Sequence, residues 1–257
     1  MTTSAPTALK AQGLRLRFGG VAALADVSFL AQGDQVTSII GPNGAGKTTL
    51  FNVATGFLRP QAGDIRYGGH SLVGLRPFQI AERGIIRTFQ RTSIFRGASV
   101  RDNVMMGLHR QGSTGLLDTL LRRGRVRDED ERLAARAADV LELVGLAHRA
   151  DDLAGALPYG EQRVLEIAIA LGANPRLLLL DEPAAGLNSA ERAGLVDLIR
   201  QMRARGVGVL LVEHDMRLVM GISDSVVCLD HGQVVCQGPP DRVQSHPGVI
   251  AAYLGRP

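Results

Sequence analysis

An α/β fold built around a buried parallel sheet is what this sequence predicts, and three observations predict it. Apolar residues make up 45% of the 257, but aromatics only 4%, with no Trp; the core must therefore come mostly from Leu, Val, Ile and Ala. Leu177 to Leu180 and Val207 to Val212 are short apolar runs of the kind buried on both faces of a sheet. Between a third strand, Val36 to Ile40, and a helix beginning at Lys47 lies the Gly-rich stretch Gly41 to Gly46.

The elements follow in order. Leu14, Leu16 and Phe18 alternate with Arg15 and Arg17, the period of a strand, and Val27 and Phe29 belong to a second. The helix from Lys47 runs to about Phe57 and is broken by Pro60 to Gly63. Ile65 to Tyr67 reads as a short strand. Pro77 is placed to start a helix and Gly84 to end it, after which Ile85 to Gln90 reads as a strand. From about residue 91 to 175 the pattern is helix after helix. Asp128 to Val144 carries acids in its first turn and Leu133, Val140, Leu141 and Val144 on one face. The stretch 122–132, rich in arginine and acid, reads as a solvated loop and helix start. Asn188 and Glu191 form a capping box for a helix with Leu195, Leu198, Ile199 and Met202 on one face, ending near Gly206. A pair of strands flanks Asp230-His231-Gly232, and short helices follow. With no repeat and no long linker, residues 8–256 read as one domain with a helical insertion.

Bulk properties narrow the partners. The net charge is +4, and only Lys10 and Lys47 among the 29 basic residues are lysine. No nucleic-acid reader motif accompanies this charge, so nucleic acid is not an expected partner and the arginine excess reads as codon bias. No stretch approaches 18 consecutive apolar residues, so no spanning helix is expected and the chain is expected to be cytoplasmic, joining a membrane through a partner. Cys228 and Cys236 flank the turn at Asp230 to Gly232. They read as reduced core residues that could be cross-strand neighbours.

Two segments carry chemistry. GPNGAGKT, residues 41–48, fits the P-loop pattern. Gly41, Gly44 and Gly46, with Pro42, Asn43 and Ala45, let backbone N–H groups curl around phosphate oxygens, and the following helix N-terminus adds partial positive charge. Lys47 reaches the β- and γ-phosphates of ATP, and Thr48, beside Thr49, offers a hydroxyl to Mg²⁺. In LLLLDEP, residues 177–183, an apolar strand ends in Asp181 at the sheet's carboxyl edge, where open α/β sheets bind ligands. Asp181 would hold Mg²⁺ directly or through water, and Glu182 would polarise the attacking water.

The P-loop, the Asp181-Glu182 pair and the long gap between them resemble an ABC ATPase. The resemblance implies a P-loop NTPase (RecA-like) core with an antiparallel β subdomain and a helical subdomain inserted at about residues 91–175. Further roles are carried over by the same resemblance. Gln90 matches the glutamine that senses Mg²⁺ and the nucleophilic water. His214 matches the histidine that contacts the γ-phosphate, and Phe18 the aromatic that stacks on adenine. LPYGEQRVLEIA, residues 157–168, matches the signature region, which reaches the ATP held by the other subunit of a dimer. Leu157, Pro158, Tyr159, Gly160, Glu161 and Gln162 carry that match. Pro158 stands where the family's usual serine touches phosphate, and Tyr159 and Glu161 replace a glycine and a glutamine. Pro158 has neither hydroxyl nor N–H, so one phosphate contact is missing, and a charged hydrogen bond is worth about 1.5–3 kcal/mol.

Arg87-Thr88-Phe89-Gln90, the signature variant, Asp181 to Asn188, Glu213 to Asp224 and Ala252-Tyr253-Leu254-Gly255 are together similar to the ATPase subunits of bacterial branched-chain amino-acid importers. That family implies two transmembrane permease subunits, a second, related but distinct ATPase subunit, a periplasmic solute-binding protein, and a peripheral position on the cytoplasmic face of the inner membrane. Urea and amide importers use similar ATPases, so the cargo rests on resemblance alone. A soluble, non-transport ABC ATPase is the rival class. Such proteins usually carry two cassettes or a long coiled coil, and this chain shows neither.

Overall fold

The structure, a computed structural model, describes residues 7–88, 94–109 and 123–254. These fall into two compact units, one drawn from Met1–Arg87, Arg176–Ala185 and Ile199–Pro257, the other from Thr88–Pro175 and Gly186–Leu198.

The first unit holds two sheets. In the smaller, β1 (Leu9–Phe18), β2 (Val21–Ala31), β4 (Ala62–Tyr67) and β5 (His70–Ser71) pair antiparallel in the order β2-β1-β4-β5. β1 begins at Leu9, ahead of the alternation legible from Leu14. Leu9 and Ala11 are buried, but the left-handed Gly13 (φ 60°) and a register shift between Ala11 and Leu14 move the buried face from odd to even positions. Such a bulge breaks the period-two signal while leaving the strand intact.

The larger sheet contains β3 (Val36–Ile40), β6 (Ile85–Arg87), β7 (Leu177–Asp181), β8 (Gly208–Val212), β9 (Ser225–Asp230) and β10 (Gln233–Gly238), in the order β10-β9-β3-β8-β7-β6. All neighbours are parallel except β10 on β9. Every residue of β3, β7 and β8 is buried, which is why their sequences do not alternate. Ile39 pairs with Val212, and Val212 with Asp181, so β3, β8 and β7 finish level at one sheet edge. Cys228 and Cys236 face each other across β9 and β10, buried and unbridged.

Helix α1 (Lys47–Ala54) is shorter than the sequence predicts. It ends at a left-handed Gly56 (φ 76°), across which the Phe57 N–H returns to the Asn52 carbonyl. Helix α2 (Pro77–Glu82) has Pro at its first position, as expected.

In the second unit, α3 (Val100–His109), α4 (Arg123–Leu143) and α5 (Tyr159–Gly172) surround a core of Val100, Val104, Leu108, Leu141 and Leu165, with Leu133, Val140 and Val144 packed at its margin. Gly107 of α3 lies against the Ile169 carbonyl of α5, a crossing too close for any side chain at that position. The stretch 122–132, predicted as a loop and helix start, is helical already from Arg123. Arg and acid three or four apart support a helix as well as they solvate a loop. The Asn188 carboxamide accepts from the N–H groups of Ala190 and Glu191, and Glu191 accepts from the Asn188 N–H, completing the expected capping box of α6 (Ser189–Ala204). Leu195, Leu198, Ile199 and Met202 are all buried. Back in the first unit are α7 (Met216–Ile222), α8 (Pro240–Gln244) and α9 (Pro247–Leu254). Among the described residues no helix is long and apolar enough to cross a membrane.

Candidate functional site

The loop 41–46 leaves the end of β3 and enters α1 through Gly46. A Cβ on Gly41 (φ 146°) would run into the Leu229 carbonyl of β9, and one on Gly46 (φ 103°) into the Ala23 carbonyl of β2, so neighbouring backbone excludes any other residue there. The Ala45 N–H closes the turn on the Pro42 carbonyl (3.2 Å), and the Ala45 carbonyl accepts the Gly232 N–H (3.1 Å), bracing the loop with the β9–β10 turn. Asn43, Gly44 and Thr48 are exposed, Pro42 and Thr49 half-buried.

Lys47 opens α1 and is only 7% exposed. Its Nζ donates to the carbonyls of Gly41 (2.7 Å) and Pro42 (2.9 Å). Burial lowers the ammonium's pKa, and the carboxylates of Glu182 and Asp181 oppose that shift. Those carboxylates lie near because β7 ends level with β3.

Asp181 closes β7 with a side chain 1% exposed. Its Oδ2 pairs with Arg87 Nη2 at 2.8 Å; Arg87 Nη1 donates to Asn52 Oδ1 of α1 at 2.7 Å, and the guanidinium stands 5.5 Å over the Phe51 ring. One guanidinium on β6 thus ties α1 to β7. The other carboxylate oxygen, Asp181 Oδ1, is buried without a hydrogen-bond partner. A buried, unpartnered anionic oxygen is costly by itself and fits a divalent cation.

Glu182 adopts a left-handed conformation (φ 50°), which costs a non-Gly residue about 1–3 kcal/mol. Its N–H donates to the Val212 carbonyl (2.9 Å), and its carbonyl accepts from Ala185 (3.2 Å). So held, Glu182 places Oε1 2.9 Å from His214 Nε2. Glu213, 4% exposed, fixes this edge from beneath: Oε1 accepts from the Ala184 N–H (2.7 Å) and Oε2 from the His214 N–H (3.0 Å). Asp215 caps α7 by accepting from Arg217 and Leu218.

The structure brings Lys47, Asp181, Glu182 and His214 to one sheet edge. Phe18 is 51% exposed at the Gly19-Gly20 hairpin; β2 resumes at Val21 and reaches Gly46 through Ala23. Gln90 lies outside the described residues, as does Phe89.

The segment 157–162 belongs to the second unit. Leu157 is buried, Pro158 is the N-cap residue of α5 without a side-chain cap, and Tyr159 to Gln162 form the first turn. Gln162 Nε2 donates to the Leu157 carbonyl (2.8 Å), and Arg163 Nε donates to the Tyr159 hydroxyl (2.9 Å) while Nη1 pairs with Glu166 (2.9 Å). Glu161 stands 3.4 Å from Arg149. Gly160 lies so close to the Glu191 side chain that a Cβ would collide with it.

Arg87 and Glu213 enter the sequence reading only inside longer motifs, without roles. Each could have been suspected from a charge at the end of an apolar strand, beside another strand that ends in acid. Nothing local points to the contact Tyr253 makes, where its hydroxyl accepts the Gly41 N–H at 2.8 Å.

A level parallel edge carrying a phosphate-binding loop, an Asp-Glu pair and a histidine defines a P-loop ATPase. The ABC transporter family model matches residues 24–185, and the branched-chain amino acid ATP-binding cassette transporter model matches residues 233–257. The chain belongs to the ABC transporter family, among its ATP-binding subunits. It is 44% identical over 248 residues to the high-affinity branched-chain amino acid transport ATP-binding protein BraF of Pseudomonas aeruginosa, covering 96% of this chain and 97% of that one. The corresponding LivG protein of Escherichia coli strain K12 matches at the same identity and coverage. Among solved structures, the ADP conformation of an ATP-binding cassette of an ABC transporter superposes with a TM-score of 0.84 at 31% identity, over 97% of this chain and 99% of that chain. A nucleotide-free cassette superposes equally well at 30% identity, over 97% and 100%.

Proposed function

We propose that this chain is the ATP-hydrolysing subunit of an importer for branched-chain amino acids. The observation that carries the catalytic part is the 2.9 Å contact between Glu182 and His214, on an edge level with the P-loop. The relatives' described cargo supports the choice of substrate.

In this reading Gly41 to Thr49 wrap the phosphates of ATP, and the Lys47 ammonium leaves the Gly41 and Pro42 carbonyls for the β- and γ-phosphates. Phe18 stacks on adenine. Thr48 and Asp181, with Gln90, hold Mg²⁺, and the unpartnered Asp181 Oδ1 supports that assignment. Bound Mg²⁺ would supply neutralisation of phosphate charge. Glu182 orients the attacking water and takes its proton. His214 holds Glu182 in place and touches the γ-phosphate.

Residues 8–256 act as one ATPase domain, with residues 91–175 as its helical subdomain. Leu157 to Gln162 act on the ATP of a second, related ATPase subunit. Two transmembrane permeases hold the pair at the cytoplasmic face of the inner membrane, and a periplasmic binding protein delivers the solute.

Two measurements test this. Glu182→Gln should keep ATP binding and slow turnover about 10²–10⁴-fold, and near-normal phosphate release would remove Glu182 from its role. In the complex reconstituted in liposomes with its binding protein, leucine, isoleucine or valine should stimulate ATPase activity. Stimulation by urea instead would reassign the cargo.

A further inference from the structure

We propose that Tyr253 is a positioning residue for the P-loop, its hydroxyl fixing Gly41 in the conformation that receives phosphate. The proposal rests on the reading of residues 41–48 as the nucleotide site. β3 pairs with β9 as far as Ile40 with Cys228, and with β8 as far as Ile39 with Val212. Beyond that point the chain turns at Gly41, which is buried, and its N–H has left the sheet. A buried N–H needs a partner, and this one is satisfied from 212 positions away by Tyr253 Oη at 2.8 Å.

The rest of α9 holds the ring loosely. Val249 seats the helix in the cluster that contains Ile40, Val226 and Cys228. Tyr253 and Ile250, one turn apart, line with Val249, Ile40, Met216 and Met220 a largely apolar cavity of about 450 Å³. The ring therefore lacks close packing on the cavity side, and the hydroxyl supplies its directional tie to the loop. Burial pushes the phenol up to about 12 despite the opposing effect of the Gly41 N–H, so the neutral hydroxyl persists through the physiological range.

Gly41 is held from both ends, its N–H by Tyr253 and its carbonyl by Lys47. Once Lys47 turns to a phosphate, the second tie is gone and Tyr253 is left to hold the glycine. The hydroxyl should therefore matter more with nucleotide bound than without. A loop that is competent only part of the time binds more weakly by that fraction.

The test titrates the purified full-length chain with ADP and records thermal midpoints alongside. Tyr253→Phe, which keeps the ring, should weaken ADP binding about fivefold to tenfold with the midpoint nearly unchanged, and should speed hydrogen exchange at the Gly41 amide. Val243→Ala, in the apolar cluster that seats α9, should lower the midpoint and leave ADP affinity alone. Unchanged affinity in Tyr253→Phe overturns the proposal, as does an equal loss of affinity in both variants. Failure of the unsubstituted chain to bind ADP overturns the nucleotide reading itself.

Discussion

Two segments of this molecule are proposed to meet phosphate, and they are made by opposite means. In residues 41–48 glycines at Gly41 and Gly46 bring backbone against backbone, and a buried lysine rests on the loop's own carbonyls. Residues 157–162 are held by side chains paired within their own unit: Gln162 on the Leu157 carbonyl, Arg163 between Tyr159 and Glu166, Glu161 beside Arg149. The first segment rests a buried cation on its own carbonyls, and in the proposed reading Lys47 exchanges them for phosphate oxygens. In the second, those side chains are already engaged, and Pro158 brings no hydroxyl. What α5 offers an anion is its first-turn backbone N–H groups. One segment is thus expected to be a binding site in the isolated chain, and the other to act only when a partner's nucleotide reaches it.

The largest expected effect strikes the support of the first segment. Arg87→Met leaves Asp181 buried without its cation, and breaking such a pair typically costs about 3–5 kcal/mol. Urea denaturation measures this, and a loss near 1 kcal/mol would show that the pair is not acting as a buried one. Next comes Lys47→Ala, which should lower kcat of the assembled transporter about 10²–10³-fold, the usual result of removing a donor aimed at developing charge. Phosphate release at saturating ATP reads this directly, and unchanged turnover would break the first half of the comparison. The smallest effect sharpens the second half. Pro158→Ser restores a hydroxyl and should raise turnover or ATP-driven pairing about tenfold, the worth of one charged hydrogen bond. It should not change ADP binding by the isolated chain. A change in that binding would mean the two segments are not independent.

Much of the site was legible because its parts are contiguous. The P-loop fits its pattern over adjacent residues, and Asp181-Glu182 announces itself by ending an apolar run. The capping box at Asn188 and Glu191 was equally local. Misreadings arose where a local signal was broken or served two structures. The bulge at Gly13 switched the buried phase of β1, so the alternation could be followed only from Leu14. Gly56 stopped α1 inside a plausible helical run. At 122–132, read as a loop and helix start, mixed arginines and acids suited both, and the helix begins earlier than that reading placed it.

By itself the sequence determined which residues carry charge, which positions need glycine, and which short runs are buried on both faces. Tertiary structure alone decided the partners: Arg87 for Asp181 across 94 positions, His214 for Glu182 across 32, and Tyr253 for Gly41 across 212. The physical reason lies in range. Helix and strand periods speak only for neighbours a few residues apart. The register of a parallel sheet, by contrast, brings the ends of distant strands level, and that levelling puts Asp181, Glu182 and His214 at the edge from which the P-loop departs.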